Sequence, residues 1–221
     1  MSVKRLVASS LLAVGIGLSG AAHAGAIFSA TSAVINAGGP GDGNIADTFN
    51  QNGLLTGYTA GVTDFDTYIA GNPSHSLIFA GNEWFSNLGS TSASVTYNFG
   101  SARTFDALAL WNEDFAGIGA LALSTSSDGV TFAPLVAGLL PPDNTNNVDY
   151  GADVFAFGLV TAQYIRFDMT NCPQQPAGYD SCAIGEVAFR ATTANGVPEP
   201  GILMLTSLAL FGLVLARRRV G

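Results

Sequence analysis

Lysine is all but missing from this chain. Lys4 is its single instance, and between Gly25 and Gly196 the only cations are Arg103, Arg166 and Arg190, set against 15 Asp and Glu. That stretch carries a charge near −12, while the whole chain carries −8. Nucleic acid is held by clustered lysine and arginine on its phosphates, so such binding is excluded. Neutral glycans, or cations such as calcium, suit an acidic surface better. Histidine is nearly as scarce, and past residue 24 only His75 remains, in the loop-like stretch GNPSHSL, where a solvated side chain is expected. No Gly-x-Ser-x-Gly elbow supplies a nucleophile, so nothing marks a catalytic centre. Between residues 25 and 196 no stretch keeps a helical period over a dozen residues, which argues against a helical domain.

Cysteine occurs twice, at Cys172 and Cys182, within NCPQQPAGYDSC. Two cysteines with no histidine nearby make a poor zinc site. In a chain bound for an oxidising compartment they read instead as one local disulfide pinning a loop, worth about 2 to 3 kcal/mol by loop closure.

The two ends carry the long apolar runs. Lys4 and Arg5 precede the run Leu6 to Leu18, and small residues lead to Ala22-His23-Ala24. This is the order of a secretory signal peptide over residues 1–24, to be removed by signal peptidase before Gly25. At the other end, Val197-Pro198-Glu199-Pro200 leads into an uncharged run over 201–216 and then Arg217, Arg218 and Arg219 in the tail 217–221. Sixteen residues of helix reach about 24 Å, which spans a membrane when flanking residues contribute and the arginines snorkel. The arginines hold that end in the cytoplasm, leaving the acidic domain outside. Pro198 and Pro200 disfavour helix, so Glu199 is expected on an extended, accessible segment. A permanent anchor and a cleaved signal both remain compatible with this layout.

The intervening 25–196 reads as a single domain. In SVTYNFG, Val95, Tyr97 and Phe99 alternate with Thr96 and Asn98. In TFDALALW, Leu108 and Leu110 lie opposite Ala107, Ala109 and Trp111. GALALSTSSDGVTFAPL predicts two short strands around a tight hairpin turn at Asp128-Gly129. DVFAFG, QYIRFDM and AIGEVAFR complete a series of strands, while residues 30–89 predict long loops with one or two strands. The fold class expected is all-β, a jelly-roll sandwich.

Several of these stretches fall into a familiar order. Trp84-Phe85-Ser86, Val95 to Gly100, Ser124 to Phe132, Tyr164-Ile165-Arg166 and Glu186-Val187 resemble the discoidin, or factor V/VIII type C, domains of the galactose-binding-like jelly rolls. Asn98-Phe99 stands where that family has an acidic-leucine step, and Gln163 where it has an arginine. The resemblance implies a β-sandwich that binds sugars, phospholipid head groups or proteins through variable loops. It also implies a structural calcium, whose matching oxygen donors are Asn50, Asn52 and Glu186, with Asp64 and Asp66 as alternatives. Ordinary turn-capping by Asn and Asp is the competing account of these residues. The C-terminal segment resembles the PEP-CTERM sorting signal of Gram-negative, exopolysaccharide-making bacteria, which is read by the membrane enzyme exosortase.

Glycan recognition needs aromatic faces beside polar groups. Trp84, Trp111, Asn112 and Glu113 are candidates, with core packing the alternative for the two tryptophans. Glu113 and Asp114 are adjacent, so on a strand end they are expected to point apart and not to act as glycosidase carboxylates. The function expected is that of a non-catalytic protein exported across the inner membrane, anchored there transiently, then released to the cell surface or exopolysaccharide matrix as an adhesive or weakly glycan-binding component. A purely structural matrix protein and, more remotely, a carbohydrate-active enzyme are the alternatives.

Overall fold

The computed structural model describes residues 25–77, 81–145, 147–174 and 179–192. The expected signal peptide and the whole sorting segment, Val197 to Pro200 and Arg217 to Arg219 included, lie outside the described residues. Among the described residues no helix is long and apolar enough to cross a membrane.

The chain forms β1 (Ala26–Phe28), β2 (Ser32–Ala37), β3 (Asp42–Gly43), a 3-10 turn (Ile45–Thr48), α1 (Phe65–Ala70), β4 (Ser74–His75), β5 (Trp84–Phe85), β6 (Ser92–Asn112), β7 (Ala120–Ser126), β8 (Ala133–Leu139), β9 (Tyr150–Gly151), β10 (Asp153–Thr170) and β11 (Ala183–Thr192). The two runs SVTYNFG and TFDALALW, expected as separate strands, are one 21-residue strand. At about 3.3 Å per residue such a strand would reach about 66 Å straight, against about 40 Å for the diameter of a domain this size, so it must bend. The bend lies after Asn98, where pairing with β10 breaks off and resumes at Arg103. DVFAFG and QYIRFDM merge likewise into β10, which pairs with both halves of β6.

These two bent strands make the sandwich. In the first layer β2, the first half of β6, the second half of β10, β7 and β8 lie side by side. In the second layer β3, β5, β11, the second half of β6 and the first half of β10 follow in order, with β1 beside the far end of β11. The inner faces meet in one core containing Val95, Tyr97, Phe99, Leu108, Leu110, Ile165, Phe167, Val187 and Phe189. Phe167 of the first layer touches Phe189 of the second at 6.2 Å between ring centroids, and Phe99 meets Phe189 edge-on at 5.1 Å. Each such side chain fully buried is worth about 1.5 to 3 kcal/mol.

An extra residue in β6, Asp106, sits where the pairing with β11 skips from Phe105 to Ala107. This bulge resets the alternation, so Phe105 and Leu108 face the core while Ala107, Ala109 and Trp111 face outward. That outward face is covered by the segment between β2 and β5, through Tyr58, Phe65 and Tyr68, together with Ile27 and Tyr150. The six-residue α1 in this cover starts at Asp64, whose carboxylate accepts the Thr67 N–H at 2.8 Å. Asp66 on the same helix pairs with Arg190 at 2.8 Å. Both aspartates are thereby engaged in capping and pairing and are not placed as cation ligands.

The disulfide is formed as expected: Cys172 and Cys182 are bonded, with Cα atoms 4.9 Å apart, and both are buried. The turn after β7 departs from the two-residue hairpin. It spans six residues, 127–132, and only Gly129 takes a positive φ, +75°. A Cβ at Gly129 would also press on the Tyr164 ring at 3.1 Å, so glycine is needed there twice over. Asp128 locks the turn, with Oδ1 accepting the N–H groups of Val130 and Thr131, each at 2.8 Å. Those donors, Thr131 first, and the Ser126 hydroxyl hold its carboxyl down at about 2.

Candidate functional site

Three groups of residues bear on function: the tryptophans and acids at one end of the sandwich, the loop around Glu186, and the outer face of the first layer.

The first group is buried. Trp84 and Trp111 are both 0% exposed, and their indole N–H groups donate to Pro40 O at 2.8 Å and Pro73 O at 2.9 Å. A ring with neither face open gives a sugar nothing to stack on. Asn112 is spent on structure: its Nδ2 donates to Pro142 O and Gln174 Oε1, and its Oδ1 accepts the Ile118 N–H. Glu113 closes the turn after β6, accepting N–H bonds from Phe115 and Ala116. The four therefore do not form an exposed binding site, because the strand ends carrying them are wrapped by loops. Glu113 and Asp114 do not point apart either. The chain leaves the strand at Asn112, both side chains are buried, and the two carboxyls interact.

His75 is not solvated. It is 0% exposed, stacked on Tyr150 at 5.1 Å, with its ring nitrogens against Ser76 O and Asn52 O. Burial holds its pKa below the ordinary value. Glu83 lies 3.7 Å from His75, and burial pushes its carboxyl up to about 7. Burial likewise pushes Glu113 up to about 8, with Asp114 alongside raising it further. The Oε1 atoms of Glu83 and Glu113 and the hydroxyl of Tyr150 are buried without a hydrogen-bond partner. Raised carboxyls of this kind could serve as acids, but each is 1% exposed, so no substrate reaches them.

Of residues 50–52 in the second group, only a backbone N–H, that of Gln51, reaches Glu186, and the Asn50 and Asn52 side chains bond to Asp47 and to each other's segment. Gln51, between Asn50 and Asn52, donates its N–H to Glu186 Oε2 at 2.8 Å, while Glu186 Oε1 is buried with no partner. Burial drives this carboxyl well above the usual range. The asparagines turn their amide nitrogens to Asp47 Oδ1, each at 3.2 Å, and Asn50 Oδ1 accepts the Asn52 N–H at 2.7 Å. Among the described residues no three His, Cys, Asp or Glu side chains converge as a metal cage. An orphaned carboxylate oxygen beside an amide-rich loop fits calcium, which accepts neutral oxygens, and does not fit a transition metal.

The third group was not singled out in the sequence. On the outer face of the first layer, register aligns Ser32, Asn98, Tyr164 and Ser126 in one row, and Val34, Thr96, Arg166 and Ser124 in the next. A third row holds Ser94 and Asp168, hydrogen-bonded at 2.8 Å. The locked 127–132 turn folds over one side and brings Phe132 beneath the Arg166 guanidinium, 4.5 Å from the ring centroid. Together they border an open groove of about 210 Å³. Arg166 Nε donates to Asp168 at 3.2 Å, and among the described residues its two terminal nitrogens make no hydrogen bond. Ser124 Oγ, next to it in register, is buried and unpartnered. The sequence signal was the polar half of each alternation: Thr96 and Asn98 in one strand, Tyr164, Arg166 and Asp168 in another.

No protein-family model matches the chain, and no curated protein is significantly similar to it. Among solved structures it is similar to chitosan-binding module 1 of a chitosanase/glucanase from Paenibacillus sp. IK-5, at 16% identity and a TM-score of 0.48, over 73% of this chain and 95% of that one. It is also similar to CpGH89CBM32-5 from Clostridium perfringens, in complex with GalNAc-β-1,3-galactose, at 13% identity and a TM-score of 0.47, over 72% and 94% of the two chains. A third, the CBM32 of AlyQ in complex with 4,5-unsaturated mannuronic acid, shares 15% identity with a TM-score of 0.43, over 74% and 96%. None of these ligands carries over to this chain at such scores.

Proposed function

We propose that this chain is an exported, non-catalytic surface or matrix protein whose β-sandwich binds neutral glycans on the outer face of its first layer. The observation that carries this reading is the groove between β2, β6, β10 and the 127–132 turn. It joins the aromatic rings of Phe132 and Tyr164 to a guanidinium whose terminal nitrogens make no hydrogen bond among the described residues, and to a floor of hydroxyl and amide side chains. Sugars need that combination, an apolar ring face next to fixed hydrogen-bonding groups. The domain charge near −12 disfavours polyanionic ligands. The buried acids at the other end, closed to solvent, support a non-catalytic role.

The address is part of the same proposal. The signal peptide and the PEP-CTERM-like segment direct the chain through the inner membrane of a Gram-negative bacterium, where exosortase would process it before release to the cell surface or exopolysaccharide matrix. Calcium at Glu186, Asn50 and Asn52 would stiffen the cover of the second layer without joining the sugar site.

The test is retention of the protein on a panel of immobilised neutral and uronic-acid polysaccharides, the producing cell's own exopolysaccharide among them, with and without chelator. Neutral retention lost on Tyr164→Ala or Phe132→Ala supports the reading. No retention on any polysaccharide leaves a purely structural matrix protein. Mass spectrometry of surface-located protein tests the sorting: Arg217 to Arg219 still attached would rule out processing.

A further inference from the structure

We infer that the groove holds an internal stretch of a linear glycan chain, lying along β2, and is not a pocket for a terminal sugar. This rests on the glycan reading above and concerns the shape of the ligand that reading leaves open.

The groove does not close at the β2 side. A second hollow, of about 260 Å³, continues from it along Ile35 to Pro40, and Asn36 borders both. The six residues of β2 extend about 20 Å at 3.3 Å per residue, and both hollows lie along that line. A site for a chain end needs a wall where the chain stops. Here a second hollow follows the first along β2, with Asn36 between them.

The floor also repeats. The rows Asn98–Tyr164, Thr96–Arg166 and Ser94–Asp168 recur every second residue along β6 and β10, about 6.6 Å apart, and β2 follows them with a register shift between Ile35 and Ala37. A polymer meets polar partners in row after row, whereas a single sugar uses one row. The second hollow is held ready for occupancy. Asn87 Nδ2 donates to Gly39 O at 3.0 Å, Asn87 Oδ1 accepts the Gly41 N–H at 2.8 Å, and Trp84 Nε1 fixes Pro40 O. Asn36 at the junction is pinned through Nδ2 to Thr96 Oγ1 at 2.8 Å. A surface fixed before binding loses little ordering entropy when the ligand arrives.

The experiment measures affinity of the full chain, solubilised in detergent, for cello- and manno-oligosaccharides of two to six units by calorimetry. Kd is expected to fall by about tenfold or more from two to five units in the series that binds, and then to level off. Ala37→Trp, at an exposed position in the second hollow, should abolish the gain with length while leaving the two-unit Kd unchanged. Tyr164→Ala in the first hollow should weaken every length. Affinity independent of length, or a hexamer affinity indifferent to Ala37→Trp, overturns the inference while leaving glycan binding intact. Absence of binding at every length overturns the inference, and the glycan reading falls with it when no neutral polysaccharide is retained either.

Discussion

The two outer faces of this sandwich are built from the same strands and end in opposite states. β6 passes through both layers. Its first half turns Ser94, Thr96 and Asn98 outward, and the last two border an open groove. Its second half turns Ala107, Ala109 and Trp111 outward, and these are all 0% exposed beneath the cover of Tyr58, Phe65 and Tyr68. Small residues let the cover approach closely, so the second face became core and gave up any access to ligand. The polar face has no such partner in the described residues and is free to bind. Burial has a further consequence at the covered end, where it raises the carboxyls of Glu83 and Glu113.

The largest expected effect in breaking this contrast is at Trp111. Trp111→Ala should remove about 3 to 5 kcal/mol of stability, read as a lowered urea midpoint, because it empties the centre of the covered face.

Next comes pH. Glu83 and Glu113 titrate in the folded domain at about 7 and about 8, above 4.5 in the unfolded chain. Groups raised in this way contribute their stability in full below pH 4.5 and lose it as pH rises through 7 and 8. The domain should therefore be less stable at pH 8.5 than at pH 5, by on the order of 3 kcal/mol, and Glu113→Gln should flatten the slope. Urea titrations at the two pH values check this, and equal stabilities would refute it.

Ala109→Thr should cost about 1 to 3 kcal/mol, since the covered face has no room for a methyl and no partner for a hydroxyl. The smallest effect is expected at the matching position of the open face. Thr96→Ala loses only the bond from Asn36 and should cost about 1 kcal/mol or less by the same assay. A reversal of these last two would mean that the faces differ in composition alone and not in packing.

The alternation in SVTYNFG and in Ala107 to Trp111 was legible residue by residue, and these side chains face the way their pattern requires, while Phe105 does not. The continuity of the two runs was not, because it depends on a bend after Asn98 and a bulge at Asp106 that only pairing with β10 and β11 reveals. The disulfide was legible from proximity and compartment. The glycan candidates Trp84, Trp111, Asn112 and Glu113 misled, since residue type alone does not tell an aromatic on a covered strand end from one on an open loop. His75 misled for the same reason: GNPSHSL has the composition of a solvated loop, yet Tyr150, from a distant segment, stacks on its ring.

By itself the sequence determined the main strands after residue 90, the local disulfide and the acidity of the domain, because these are set by neighbours a few residues apart; residues 30–89, expected to hold one or two strands, instead form β2 to β5 and α1. Only the tertiary structure decided which polar face stays open. Asn36, Thr96, Phe132 and Arg166 come from four separate stretches, and nothing but the strand register, with the 127–132 turn folded over it, brings them to one groove.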